Sequence, residues 1–294
     1  DPGGPSPYTV AVEAAGIAIA WSHDPSHVTT GPPPDRLAVT KALTAIDPDN
    51  AELVAARAAG VPVEPWQQVI ADSAVGKRLI GVAGTHGKST TSGWLVHVLV
   101  AAGWDPSAFV GALLPPAITD GPAATARSGA GPVFVVEADE YAGNFDAYHP
   151  DIAILTSAEW DHPDVFADAE AVQAAFEAWL RGMPAGSTVI ANAADPGVRS
   201  IIGRLADTHL TIVRYALVAP EASGAGSSAA VADFAALIVG EGAEGTTLEI
   251  LGHGTASGPI TVHLATAGRH NAANALAVAA AANAVGLDAG GIVR

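Results

Sequence analysis

Five stretches of the chain are short apolar runs without helical spacing, each closed by small or acidic residues. They read RLIGVAG (78–84), GPVFVVEAD (131–139), DIAILTSAEWDH (151–162), GSTVIANAAD (186–195) and LTIVRYAL (210–217). Continuous runs of four to eight residues rich in Val and Ile predict strands buried on both faces, as in parallel sheets. Between them, residues 88–102 and AEAVQAAFEAWLRGM (169–183) carry helical spacing, with Gly103 as a stop after the first. ADFAALIVGEG, GTTLEILGHG and PITVHLATAG (232–268) predict three strands in an antiparallel meander. A last helix follows GRHN and runs to Gly286. APEASGAGSSAA (219–230) reads as a small-residue surface loop.

The first part of the chain alternates differently. AVEAAGIAIAWSHD (11–24) predicts a helix end, Gly16 and a short strand, and RLAVTKALTAI (36–46) another strand. AELVAARAAGVPVEPWQQVIADSA (51–74) predicts helix, Gly60, a short extended VPV and a second helix. The expected organisation is therefore a partial Rossmann-like α/β unit over 1–77, followed by a mostly parallel α/β domain with an antiparallel strand extension over 78–294.

Composition narrows the function. A formal net charge of −17 argues against general affinity for nucleic acid or anionic membranes, so an anionic ligand would need a local site. The absence of Cys excludes disulfides, thiolate metal sites and Cys nucleophiles, and fits a cytoplasmic setting. No apolar run reaches the ~18 residues of a membrane span, and the first residues carry no basic-then-apolar leader.

The candidate chemistry gathers at strand ends. GTHGKST (84–90) lies between a buried strand and a helix, where helix N-terminal N–H groups face an anion. Gly84 and Gly87 permit close backbone approach, Lys88 offers a charge for β/γ-phosphates, and Ser89 a hydroxyl for Mg²⁺. The usual Walker loop wants a glycine where Val82 stands, so the match to that pattern is imperfect. Glu137, Asp139 and Glu140 close one strand; Glu159, Asp161, His162 and Asp164 close the next. Ligands of open α/β sheets sit at such carboxyl ends, and Mg²⁺ takes few protein ligands. The plain alternatives are solvated loop charges and, for His162, a structural imidazole. His97 and His149 read as structural or solvated, and Asn271 by itself as a helix N-cap.

GTHGKST, VVEADEY (135–141) and GRHNAANAL (268–276) together resemble the Mur ligase family, the ATP-dependent amide-forming enzymes of the peptidoglycan stem peptide. The His in the loop, VVEADEY and GRHNAANAL together point to the branch that joins L-alanine to UDP-N-acetylmuramate. A close relative of that branch attaches murein tripeptide instead. AIDPDNAELVAARAAGVPV (45–63) resembles the end of the branch's UDP-binding domain.

The resemblance implies the following roles. Gly84, Thr85, His86, Gly87, Lys88, Ser89 and Thr90 form the phosphate loop. Lys88 meets the phosphates, and Ser89, Glu137 and His162 hold Mg²⁺. Lys88, Glu137 and His162 act in catalysis, and Asn271 and Asn274 contact adenine. The implied reaction passes through an acyl phosphate, with ATP, Mg²⁺, UDP-N-acetylmuramate and an amino acid as the small-molecule set. Against the family pattern, Thr156-Ser157 replaces Thr-Asn, and Thr125-Ala126-Arg127 stands for an Asn-Ala-Arg. On the resemblance, the family's N-terminal Gly-rich turn and C-terminal amino-acid-binding domain are expected to fall outside these residues, and the helix at 169–183 has no Lys to be carbamylated. The rival expectations are a non-catalytic ATP-binding fragment or homologue, and a folate- or polyglutamate-type ligase, which the N-terminal resemblance disfavours.

Overall fold

The computed structural model describes residues 4–218, 232–252 and 258–292. The chain divides into two compact units, Asp1–Val75 with Pro115–Ala124, and Gly76–Leu114 with Thr125–Arg294.

The first unit holds α1 (Pro7–Ala14), α2 (Ser26–Thr29), β1 (Leu37–Val39), α3 (Lys41–Ile46), α4 (Ala51–Ala58), β2 (Val63–Pro65) and α5 (Trp66–Ser73). β1 and β2 pair in parallel, Leu37 opposite Val63, over a small core of Val28, Ala55, Ala56 and Val61. Two expectations are corrected here. No strand forms after Gly16: Ile17 is exposed, and the sheet of this unit contains only β1 and β2. An apolar run without a neighbouring strand has nothing to receive its backbone hydrogen bonds. The stretch 36–46 is a strand only as far as Val39, because the Thr40 hydroxyl accepts the Leu43 N–H at 3.2 Å and starts α3.

The second unit begins with β3 (Arg78–Ala83), α6 (Lys88–Ala101) and β4 (Ser107–Leu114). The segment Pro115–Ala124, with the short α7 (Pro116–Thr119), clusters with the first unit. There follow β5 (Ala124–Arg127), β6 (Val133–Glu137), a 3₁₀ turn (Tyr141–Ala147) and β7 (Ile152–Leu155). Next come α8 (Ala169–Arg181), β8 (Thr188–Asn192), α9 (Pro196–Arg204) and β9 (Thr211–Val218). β10 (Phe234–Gly242), β11 (Gly245–Gly252), β12 (Ile260–Leu264), α10 (Arg269–Val285) and α11 (Ala289–Ile292) complete it.

The sheet runs β12-β11-β10-β9-β8-β7-β3-β6-β4-β5. Every neighbour from β10 to β4 is parallel, and β11 and β12 turn antiparallel, so the expected mostly parallel sheet with an antiparallel extension is the observed architecture. β4, β5 and α9 are additions that the apolar pattern does not reveal. The loop read at 219–230 lies outside the described residues. Burial explains the continuous apolar runs: Ile80, Val82, Ile152, Ile154, Val189 and Ile190 are fully enclosed. α8 turns Val172, Phe176, Trp179 and Leu180 inward and is capped by Asp168, which accepts the Ala171 N–H. α10 buries a nearly unbroken alanine surface and packs on α6. Among the described residues no helix is long and apolar enough to cross a membrane.

One register positions the site. Val82 stands opposite Glu137 of β6, and Ala83 opposite Leu155 of β7. The segments leaving β3, β6 and β7 therefore meet at one sheet end, the place where open parallel sheets bind ligands.

Candidate phosphate and metal site

The loop from Gly84 to Gly87 has no room for side chains at its glycines. Gly84 has φ 131°, and a Cβ there would lie 2.2 Å from Thr156 Oγ1 and 2.8 Å from Ser157 N. Gly87 has φ 84°, and a Cβ would lie 2.7 Å from Asn274 Oδ1. Asn274 of α10 thus packs against the Gly84–Gly87 loop. Asn271 donates its Nδ2 to Ala267 O at 2.8 Å, at the start of the same helix.

The loop is braced from β7. The Thr156 hydroxyl lies 3.1 Å from Ala83 O and 2.5 Å from His86 O. Ser157 Oγ accepts the His86 N–H at 2.9 Å, and Ser157 O accepts the Thr85 N–H at 3.2 Å. Thr85 Oγ1 donates to Glu159 O and accepts Glu159 N–H, both at 3.0 Å. Asn192 of β8 donates to Thr156 O at 2.8 Å. Thr156 and Ser157 thus brace the loop through both backbone and side chain.

α6 begins at Lys88, after Gly87 in the left-handed region. Its first N–H groups have no carbonyl behind them within the helix and carry the positive end of its dipole. Lys88 Nζ donates to Gly84 O at 2.8 Å and to Glu140 Oε2 at 2.9 Å, with Asp139 Oδ1 at 3.7 Å. Ser89 Oγ donates to Glu137 Oε1 at 2.9 Å, and Gly111 N–H of β4 donates to Glu137 Oε2 at 2.7 Å. Both carboxylate oxygens of Glu137 are thereby oriented.

These residues fit a magnesium-bound nucleoside phosphate. The two loop glycines lie where a Cβ would collide with Thr156, Ser157 or Asn274, and a helix N-terminus and a lysine follow directly. A hydroxyl and a carboxylate in contact match the sparse protein ligation that Mg²⁺ accepts. Among the described residues no three of His, Asp and Glu converge as a metal cage.

His162 has partners of its own. It has φ 56°, a conformation uncommon for a bulky residue, and its N–H donates to Asp161 Oδ1 at 2.7 Å. Its ring meets Tyr141 edge to face, centroids 5.0 Å apart. The Tyr141 hydroxyl donates to Asp164 Oδ2 at 2.9 Å, and that bond raises the phenol's pKa. His86 extends into solvent, 3.7 Å from Glu159. His97 is exposed, and His149 Nδ1 lies 3.2 Å from Gly182 O.

The residue most easily overlooked is Glu140. Read in sequence it is one acid of three; in space it is nearly sealed, 2% exposed, and holds Lys88. Its one sequence signal is its place after the Glu137 strand end.

The family description "Mur ligase middle domain" matches residues 82–282, and "Mur ligase family, catalytic domain" matches residues 4–78. The chain belongs to the Mur ligase family. The Mur-type loop and acidic strand end both lie in the middle-domain match, although the other carries the word catalytic. Among curated relatives, UDP-N-acetylmuramate–L-alanine ligase of Frankia casuarinae is 35% identical over 96% of this chain and 55% of its own length. The same-named protein of Mycobacterium sp. (strain JLS) is 37% identical over 95% and 54%. The chain thus spans about half the length of these relatives. Among solved structures, UDP-N-acetylmuramate:L-alanyl-γ-D-glutamyl-meso-diaminopimelate ligase from Neisseria meningitides superposes with TM-score 0.76. It is 25% identical and covers 97% of this chain and 84% of that one. UDP-N-acetylmuramate–alanine ligase from Thermotoga maritima gives 0.71 at 24% identity, covering 97% and 58%.

Proposed function

We propose that this Mur ligase chain binds ATP and Mg²⁺ and takes part in joining L-alanine to UDP-N-acetylmuramate. The observation that carries the reading is the pairing of Lys88 with Glu140 and of Ser89 with Glu137 around a two-glycine cradle. Residues 1–77 contribute the UDP-substrate side and residues 78–294 the ATP side. On this reading the work takes place in the cytoplasm.

In the reaction, an oxygen of the muramyl carboxylate bonds to the γ-phosphorus of ATP as the bond to ADP breaks. The amine nitrogen of L-alanine then bonds to the acyl carbon, loses a proton, and inorganic phosphate leaves. Lys88 and the N-terminus of α6 offset the negative charge on the phosphates. Ser89, Glu137 and His162 would hold magnesium, which when bound neutralises charge on the transferring phosphoryl group. Asn274 lies against Gly87, Asn271 precedes it by three residues at the start of α10, and both would meet the adenine.

The name carried by the Frankia and Mycobacterium relatives favours L-alanine, and the Neisseria superposition favours a tripeptide acceptor. Phosphate release from ATP with UDP-N-acetylmuramate, compared with L-alanine and with L-alanyl-γ-D-glutamyl-meso-diaminopimelate, separates them. L-alanine-dependent release is expected. Tripeptide-only release would move the assignment to the recycling ligase. Tight ATP binding with no release under any acceptor would support a binding module.

A further inference from the structure

The loop after β7 is touched from outside itself by Tyr141. Its side chain is partly exposed and lies away from the buried core. Its ring and hydroxyl are instead both engaged on the segment 161–166. The ring stands edge to face with His162, interplanar angle 74°, and the hydroxyl donates to Asp164.

The backbone is unusual at one partner and just beside the other. His162 is left-handed, and within the turn that Tyr141 begins, Ala142 (φ 50°) and Gly143 (φ 66°) are left-handed too. Non-glycine residues hold such conformations only where the surroundings over-determine them. For the loop, the surroundings are its own hydrogen bonds and Tyr141. His162 O accepts both Val165 and Phe166 N–H at 2.9 Å, and Trp160 Nε1 donates to Phe166 O at 2.9 Å. Those bonds set the loop's shape. The imidazole itself meets the Tyr141 ring and, 3.9 Å from its Nε2, the carboxylate of the neighbouring Asp161. On the other side, Tyr141 follows directly on Glu140, the carboxylate that holds Lys88.

We propose that Tyr141 is a positioning residue that fixes the His162 imidazole and ties its loop to the Glu140–Lys88 end of the site. The proposal rests on the reading that His162 serves the magnesium–nucleotide site, and its test separates the two. Tyr141 touches neither the phosphate loop nor the Ser89–Glu137 pair in the contacts above, so its effect passes through His162 and Asp164.

The experiment uses the whole chain and three variants, Tyr141→Phe, Tyr141→Ala and Asp164→Asn. Two quantities are read: the imidazole proton shifts of His162 by NMR, assigned with His162→Gln, and the Mg²⁺ concentration that half-saturates ADP binding. Melting temperature serves as a fold control, which a half-exposed side chain should barely move. Tyr141→Ala is expected to shift the His162 signals, because the neighbouring ring current is lost. It should also raise the half-saturating Mg²⁺ about tenfold, as removal of an outer-shell partner does. Tyr141→Phe keeps the ring and should leave the His162 signals nearly in place, with a smaller rise in Mg²⁺ shared by Asp164→Asn. Unmoved His162 signals in Tyr141→Ala overturn the proposal. Moved signals with an unchanged Mg²⁺ titration support Tyr141 as the positioning residue, and instead remove His162 from the magnesium site.

Discussion

The ammonium of Lys88 lies 2.9 Å from the carboxylate of Glu140, and Glu140 is 2% exposed. A buried carboxylate without its cation is costly, so this pair predicts a specific asymmetry. Lys88→Met leaves Glu140 stranded and should lower stability by about 3 kcal/mol. The double variant Lys88→Met/Glu140→Gln should recover at least about 1 kcal/mol of that relative to additivity. Urea denaturation of the four proteins in the cycle measures the coupling. A purely additive cycle would mean the two side chains do not act as a pair in solution.

The two loop glycines should fail differently. Alanine at Gly84 drives a Cβ into Thr156 Oγ1 and the Ser157 backbone, with no flexible side chain to yield, so a loss of about 3 kcal/mol or more is expected. Alanine at Gly87 meets only the end of Asn274, and the left-handed backbone there costs about 1–2 kcal/mol. Gly87→Ala should therefore fold while losing nucleotide affinity, and Gly84→Ala should be destabilised first. Chemical melts beside nucleotide titrations distinguish the two.

These contrasts show what the sequence could and could not convey. GTHGKST and the acids after β6 were legible because each is a local pattern at the end of an apolar run. The roles of Glu140, Thr156 and Ser157 were not, because they arise from register: β3 pairs with β6 and β7 so that residues 52 to 73 positions apart touch. Strands β3 and β6–β9 announced themselves through continuous apolar runs. β4 mixes glycine and small residues with exposed positions, and α9 is short, with glycines at 197 and 203, so neither carries a clear period. The strand expected after Gly16 shows the reverse error, since an apolar run becomes a strand only beside another.

Thr156 offers a test of the brace. Thr156→Val keeps the shape and removes the hydroxyl that bonds Ala83 O and His86 O. A loss of about 1–2 kcal/mol is expected. Nucleotide affinity should weaken along with it. Unchanged affinity would mean that the loop keeps its form without β7.

In the first unit, His23 Nδ1 lies 2.8 Å and His27 Nδ1 2.5 Å from the two oxygens of Glu52. Burial disfavours the charged carboxylate, but the hydrogen bonds from His23, His27 and the Asp24 N–H outweigh it and hold its pKa below the usual glutamate value. A depressed carboxylate pKa stabilises the folded state above its unfolded value, and that contribution is lost as pH falls through the folded value. The stability difference between the parent chain and Glu52→Gln should thus be full near neutral pH and vanish toward the acid side of the ordinary glutamate range. Thermal melts across that window would show it. A difference that grows as pH falls would have the wrong sign.

The most direct test of the site is calorimetric titration of the chain with ATP in the presence of Mg²⁺, beside Lys88→Ala and Ser89→Ala. The parent should bind with a marked Mg²⁺ dependence. Lys88→Ala should lose at least about tenfold in affinity, as expected for a lost charge-assisted contact to phosphate. Ser89→Ala should keep residual binding but lose most of the Mg²⁺ dependence. Equal binding by all three proteins, or binding indifferent to Mg²⁺ in the parent, would contradict a phosphate and metal site built on Lys88, Ser89 and Glu137.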